Sequence, residues 1–129
     1  MTYTALNKYK QSSISTATPE ELTLMLYNGA IKFMNIAKYS IEKKEMEKAH
    51  NSLLRAQDII LELNYSLDMK YDISKEMREL YEFVMSKLVD GNISKDIKSI
   101  EEAIDITSEM RDTWKEVIKQ VKQKLYKAK

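Results

Sequence analysis

The stretch from Thr18 to Met34 constrains the fold of this chain more than any other part of the sequence. Thr18 is a favoured helix N-cap, Pro19 suits the first helical position, and Glu21 completes a T-x-x-E capping box. At 100° per residue the helix that follows is apolar around more than half of its circumference. Its main stripe, which we expect to face the core, is Leu22, Met25, Leu26, Phe33 and Ile36. Such a helix packs on several neighbours, or on neighbours and a partner.

The composition favours long helices with short connections, because the 129 residues include only two glycines and one proline. Hydrophobic periodicity predicts helices at about residues 18–42, 45–67, 72–90 and 94–126. The first turn falls in the charged run from Glu42 to Glu45. Gly91 is expected to end the third helix in a left-handed conformation, and Ser94 to cap the fourth. We therefore predict an all-α fold, an antiparallel four-helix bundle over residues 18–129.

Residues 1–17 form the remaining part of the chain, a mobile N-terminal segment that is either helical or extended. Tyr3, Leu6 and Tyr9 recur every three residues, a spacing that suits a short helix docked on another surface. A frayed terminus with incidental aromatic residues is the alternative. At the other end of the chain, lysines crowd the last turns of the fourth helix. They complement the helix dipole, and a docking tail for an acidic partner is the alternative interpretation.

The net charge and the residue types of the sequence exclude several classes of function. A net charge of +1 gives no general attraction to nucleic acid or to an anionic membrane. No apolar run is long enough for membrane insertion, and the absence of cysteine is compatible with a reducing compartment, so we expect a cytosolic protein. His50 is the only histidine, so Glu47-x-x-His50 cannot build a di-iron site, which needs two such motifs. We expect no catalytic residue, no metal and no cofactor.

Several motifs along nearly the whole chain carry a resemblance to a known family. They are T-A-T-P-E-E-L and L-Y-N-G-A-I-K-F in the first helix, A-Q-D-I-I-x-E-L from Ala56, E-L-Y-E-F from Glu79, and then G-N-x-x-x-D, I-E-E-A and R-D-T-W-K. In this order and spacing they resemble the FliS family of flagellin-specific export chaperones. The chain departs from the family in two loops: residues 69–73 replace a glycine-rich loop, and the first turn lacks a common glycine.

The resemblance implies a helical bundle, a monomer when free, that binds the disordered C-terminal segment of flagellin. Capping this segment would prevent premature polymerisation, and the chaperone would hand flagellin to a flagellar type III export-gate protein. The resemblance also implies that the N-terminal segment covers part of the binding surface. An apolar-aromatic pair used at the gate matches Leu6 and Tyr9 in spacing. A structural bundle that self-associates through its surplus apolar surface is the alternative function.

The predicted binding cleft lies between the first two helices and is lined by residues left over from their main stripes. With the turn near residues 43 and 44, Met34 is level with Leu54, and Tyr27 with Leu61. The candidate residues for flagellin binding are Leu24, Tyr27, Ile31, Met34, Leu54, Gln57, Leu61 and Tyr65. The alternative is that they pack on the third helix, the fourth helix or the N-terminal segment. We expect Tyr3, Leu6 and Tyr9 to form a lid over this cleft that flagellin displaces.

Overall fold

A computed structural model of the protein describes residues 17–127. Its four helices are α1 (Pro19–Glu42), α2 (Met46–Tyr65), α3 (Asp72–Ser94) and α4 (Ile97–Lys127). Each helix packs antiparallel to the next, and α4 packs against α1, so the predicted antiparallel four-helix bundle is confirmed. None of these helices holds a stretch apolar enough to span a bilayer. The predicted N-terminal segment with Tyr3, Leu6 and Tyr9 lies outside the described residues.

Local sequence determines where α1 begins and ends. The Thr18 side chain accepts a hydrogen bond from the backbone N–H of Glu21 at 3.2 Å, which satisfies a donor that the helix itself leaves free. The chain turns at Lys43 and Lys44, and Lys44 has a left-handed φ of 63°. The turn therefore falls in the predicted charged run.

The end of α3 differs from the prediction. Gly91 is helical and buried, and the left-handed residue is Lys95, with a φ of 54°. A β-carbon on Gly91 would lie 2.9 Å from Cγ1 of Ile100 on α4. This glycine therefore makes room for α4 and does not end α3. Ser94 closes α3 instead of capping α4. The first turn of α4 is capped by Asp96, whose carboxylate accepts from the backbone N–H of Lys98 at 3.0 Å.

The core is built on a heptad-like spacing in all four helices. Alternating steps of three and four residues connect its buried or half-buried positions, which are Tyr27, Ala30, Met34, Ala37 and Ile41 in α1; Ala49, Leu53, Ala56, Ile60 and Leu63 in α2; Met77, Tyr81, Val84, Leu88 and Gly91 in α3; and Ile100, Ala103, Thr107, Met110 and Trp114 in α4. This spacing is typical of helices that pack at small angles in a bundle.

The last turns of α4 extend beyond the start of α1. At 1.5 Å per residue, the 31 residues of α4 span about 46 Å and the 24 residues of α1 about 36 Å. Lys122 pairs with Glu21 in the first turn of α1, with Nζ and Oε1 3.3 Å apart. Beyond this pair Leu125 and Tyr126 are 64% and 85% exposed.

Candidate functional site

The first candidate site is a groove between α1 and α2, which we call the α1–α2 groove. Its volume is about 400 Å³. Its lining is apolar apart from one carboxylate and comprises Leu22, Met25, Leu26, Gly29, Phe33, Ile59 and Glu62. Met25 is exposed, and Leu26, Phe33 and Ile59 are only half-buried. This face of α1 therefore offers apolar surface that no helix of the bundle covers.

Contacts across this groove have the register that the sequence predicted for the first two helices. A β-carbon on Gly29 would lie 3.4 Å from Cδ1 of Ile59. The Arg55 guanidinium lies 5.6 Å from the ring centroid of Phe33, a distance suited to a cation–π contact. Past Phe33 the surface continues into a more polar hollow that includes Arg55 and Met46. The groove thus has an apolar end and a charged end.

The second candidate site lies on the opposite face of the bundle, and we call it the α3–α4 groove. Its volume is about 500 Å³. It is lined by Tyr27, Ile73, Met77, Leu80, Ile106, Glu109, Met110, Thr113, Trp114 and Val117. The Trp114 indole N–H donates to the backbone carbonyl of Glu20 at 2.8 Å, which fixes the ring against the start of α1. Ile73, Leu80 and Val117 remain exposed along the rim.

A buried polar pair adjoins the α3–α4 groove. The hydroxyls of Tyr27 and Tyr81 lie 2.6 Å apart and join α1 to α3 through the core. Both side chains are almost fully buried, and this burial raises the pKa of each hydroxyl above its ordinary value. Both phenols are therefore neutral at physiological pH. Tyr27 is the member of the pair that lines the groove.

The eight residues predicted to line a cleft between the first two helices do not come together there. In α1, Tyr27 and Met34 are fully buried, and Ile31 is 8% exposed, so all three are core residues. Leu24 and Ile31 lie four and two turns before Lys38, whose ammonium is 3.2 Å from a carboxylate oxygen of Glu101 on α4. Leu24 and Ile31 therefore face α4, not α2.

The candidate residues of α2 lie on the side of that helix that points away from α1. Leu54 lies one turn after His50, whose Nδ1 is 2.9 Å from the side-chain nitrogen of Asn92 on α3. Leu61 lies two further turns along, so both leucines face the α3 side. Gln57, between them, is half-buried.

Tyr65, the last residue of α2, is 81% exposed and lines neither groove. The alternative considered from the sequence, packing toward the third and fourth helices, describes the α1 residues better than the predicted cleft does.

The wrong assignment has a physical cause in the width of the apolar arc of α1. Periodicity identifies apolar positions, but it does not give the direction of the bundle axis when most positions are apolar. The sequence predicts that the stripe with Leu22, Met25 and Phe33 faces the core, whereas in the structure it lines the α1–α2 groove. The missed signal was the heptad that runs through two alanines, Ala30 and Ala37, whose small side chains permit close packing.

No group of three or more histidine, aspartate and glutamate side chains is placed to hold a metal ion among residues 17–127. His50 instead contacts Asn92 and so joins the start of α2 to the end of α3. All buried side-chain nitrogen and oxygen atoms of these residues have a hydrogen-bond partner. The two exposed apolar grooves therefore remain as the candidate binding sites of the described surface.

Comparison with known proteins gives a consistent result. The family model described as flagellar protein FliS matches residues 2–121. The flagellar secretion chaperone FliS of Bacillus subtilis is 42% identical over 116 residues, which are 90% of this chain and 85% of that protein. The protein of the same name from Vibrio cholerae is 28% identical and covers 88% of both chains. The crystal structure of a flagellar chaperone from bacteria has the same fold, with a TM-score of 0.74 at 17% identity, covering 93% of this chain and 99% of that one.

Proposed function

Because this chain belongs to the FliS family of flagellar secretion chaperones, we propose that it binds the disordered C-terminal segment of flagellin in the cytosol. Binding would keep this segment from entering premature polymers, and the complex would deliver flagellin to the flagellar type III export gate. The function is one of binding and release, without catalysis or a cofactor.

The observation that carries this proposal is the presence of two apolar grooves on opposite faces of one small bundle. An amphipathic segment places apolar anchors into a groove of this kind as it becomes helical. A long segment that wraps around the bundle can fill both grooves. Because ordering the segment consumes part of the interaction free energy, the complex stays releasable despite a large contact area.

The direct test mixes the protein with a flagellin C-terminal segment and measures the molar mass by light scattering. The proposal expects a monomer that becomes an equimolar complex. A stable dimer that ignores the flagellin segment would support the alternative, a structural bundle that self-associates through these same surfaces.

Three matched substitutions test the contribution of each groove. Met25→Ser removes an exposed anchor from the α1–α2 groove, and Leu80→Ser does the same in the α3–α4 groove. Leu54→Ser is the control, because Leu54 is similarly exposed and lines neither groove. Loss of one buried anchor should weaken flagellin binding about tenfold or more, as measured by calorimetry. If only Leu54→Ser weakened binding, the α3 side of α2, where Leu54 lies, would be the site.

The N-terminal segment is the proposed link to the export gate. Tyr3, Leu6 and Tyr9 lie outside the described residues, so their spacing and the family resemblance are what support this step. We propose that residues 1–17 cover part of the flagellin site in the free protein. Flagellin would displace them and make Leu6 and Tyr9 available to the export-gate protein.

A further inference from the structure

The charge of this chain is distributed unevenly along α4. Residues 115–127, which we call the α4 tail, carry five lysines and one glutamate, whereas the whole chain carries a net charge of only +1. Within residues 17–127, the ion pair that this group of lysines forms is the one between Lys122 and Glu21 of α1. No acidic residue follows Glu116 in the sequence. The small net charge of the whole chain therefore conceals one strongly basic helix end.

An exposed apolar stripe runs along the α4 tail. Val117, Val121 and Leu125 recur every four residues, which places them on one face of the helix, and all three are exposed. At about 100° per residue, Lys124 lies beside Val121 at one edge of this stripe, and Lys122 lies beside Leu125 at the other. The α4 tail thus presents an apolar face that has a lysine at each edge.

We propose that the α4 tail binds the surface of an anionic lipid bilayer, with its apolar stripe turned toward the acyl chains. A helix with one apolar face and a lysine-rich polar face lies in the plane of the interface and does not span the bilayer. The lysines at the edges of the stripe keep their ammonium groups among the headgroups while their carbon stems cover apolar surface. The inference is independent of the proposed function, since Val121 and Leu125 line neither groove.

Charge and apolar surface together favour this occupant over two others. The N-terminal segment joins α1 at the end of the bundle where the α4 tail lies. Residues 1–16 contain two lysines and no acidic residue, so the basic tail does not attract them. An acidic protein surface would match the lysines, but it would bury the stripe only if it also carried an apolar groove. An anionic bilayer supplies the negative charge and the apolar phase at once.

The test measures binding of the full chain to lipid vesicles by flotation. Vesicles with about 30% phosphatidylglycerol in phosphatidylcholine provide the anionic surface, and vesicles of phosphatidylcholine alone provide the neutral one. The chain should bind the anionic vesicles and not the neutral ones. Raising the salt concentration from about 0.1 M to about 0.5 M should release it, because salt screens the attraction between lysines and headgroups. Absence of binding to the anionic vesicles at low salt would overturn the inference.

A matched pair of variants tests the charge of the α4 tail. Lys122→Gln/Lys124→Gln removes the lysines at the edges of the stripe and should weaken vesicle binding about tenfold or more. Lys43→Gln/Lys48→Gln removes two lysines from the opposite end of the bundle. The control is matched because Lys48, like Lys122, takes part in one exposed ion pair, with Glu45. It should change vesicle binding by less than about twofold. Equal losses in both variants would mean that the bilayer attracts the chain without using this site.

The variant Val121→Ser/Leu125→Ser tests the apolar stripe and separates the possible occupants. It should weaken vesicle binding about tenfold and leave the Kd for the flagellin segment unchanged within about twofold. If it weakened flagellin binding instead, the stripe would belong to the cargo site and the inference would be wrong. Binding to polyglutamate but not to vesicles would assign the tail to an acidic protein. Vesicle binding that appears only after deletion of residues 1–12 would make the N-terminal segment the occupant.

Discussion

At the scale of single residues, the two glycines of this chain are both helical but differ in what a β-carbon would meet. On Gly91 it would lie 2.9 Å from buried Ile100, whereas on Gly29 it would make an ordinary 3.4 Å contact with half-buried Ile59. We therefore expect Gly91→Ala to lower the free energy of unfolding by about 1–3 kcal/mol through overpacking. Gly29→Ala should raise it by up to about 1 kcal/mol through helix propensity. Urea unfolding of both variants measures this difference, and equal effects would contradict it.

The Tyr27–Tyr81 hydrogen bond leads to a second prediction. Either single Phe substitution leaves the other hydroxyl buried without a partner and should cost about 1–3 kcal/mol. The double variant removes both hydroxyls and should cost less than the sum of the two single variants. Strict additivity in this double-mutant cycle would show that the two hydroxyls do not interact.

The same pair makes stability depend on alkaline pH. Burial raises the pKa of Tyr27 and Tyr81 in the folded protein, whereas the unfolded chain releases these protons near pH 10. The folded state then holds more protons, so its stability falls as pH rises above about 10. Urea midpoints measured from pH 8 to 11 should fall less steeply for the double Phe variant than for the natural chain.

At the scale of elements, the cap of α1 was readable from the sequence, whereas the cap of α4 and the packing contacts were not. Thr18 was predicted as an N-cap because its partner, the N–H of Glu21, is only three residues away. Gly91 was misread because the reason for a glycine there is Ile100, which belongs to another helix. The register across the first two helices was predictable from the position of their turn. The face that each helix presents depends on all four helices together.

The overhang of α4 gives a prediction about a whole element. Truncation after Gln120 removes residues 121–129, of which the described residues 121–127 are all exposed, and with them the surface ion pair between Lys122 and Glu21, which is worth about 0–1 kcal/mol. The free energy of unfolding should therefore change by no more than about 1 kcal/mol. Trp114→Phe is the control, since it loses the hydrogen bond to the Glu20 carbonyl and should cost about 1–3 kcal/mol. A larger loss on truncation would show that the end of α4 packs on another part of the chain.

At the scale of the whole molecule, the fold was predictable because four segments have helical periodicity and the chain has only two glycines. Together these features leave few alternatives to a helical bundle. The binding surface was less predictable for a related reason. A helix as apolar as α1 contributes both to the core, through Tyr27 and Met34, and to a groove, through Met25 and Phe33. Its composition reveals surplus apolar surface, while only the arrangement of the four helices separates the core face from the groove face.

The proposed lid concerns the chain as a whole, because it couples the cargo site to recognition at the export gate. A lid that docks on the flagellin site lowers the apparent affinity for flagellin about fivefold for every kcal/mol of docking free energy. Deleting residues 1–12 should therefore leave the bundle folded, preserve or tighten flagellin binding, and abolish binding to the export-gate protein. Circular dichroism, calorimetry with the flagellin segment and a pull-down on the gate protein measure the three results. The double variant Leu6→Ala/Tyr9→Ala keeps the segment but removes two of the three lid side chains, so it should likewise lose gate binding and preserve or tighten flagellin binding. Much weaker flagellin binding by the truncated chain would mean that residues 1–12 belong to the cargo site, because a lid that only competes with flagellin cannot contribute to its affinity.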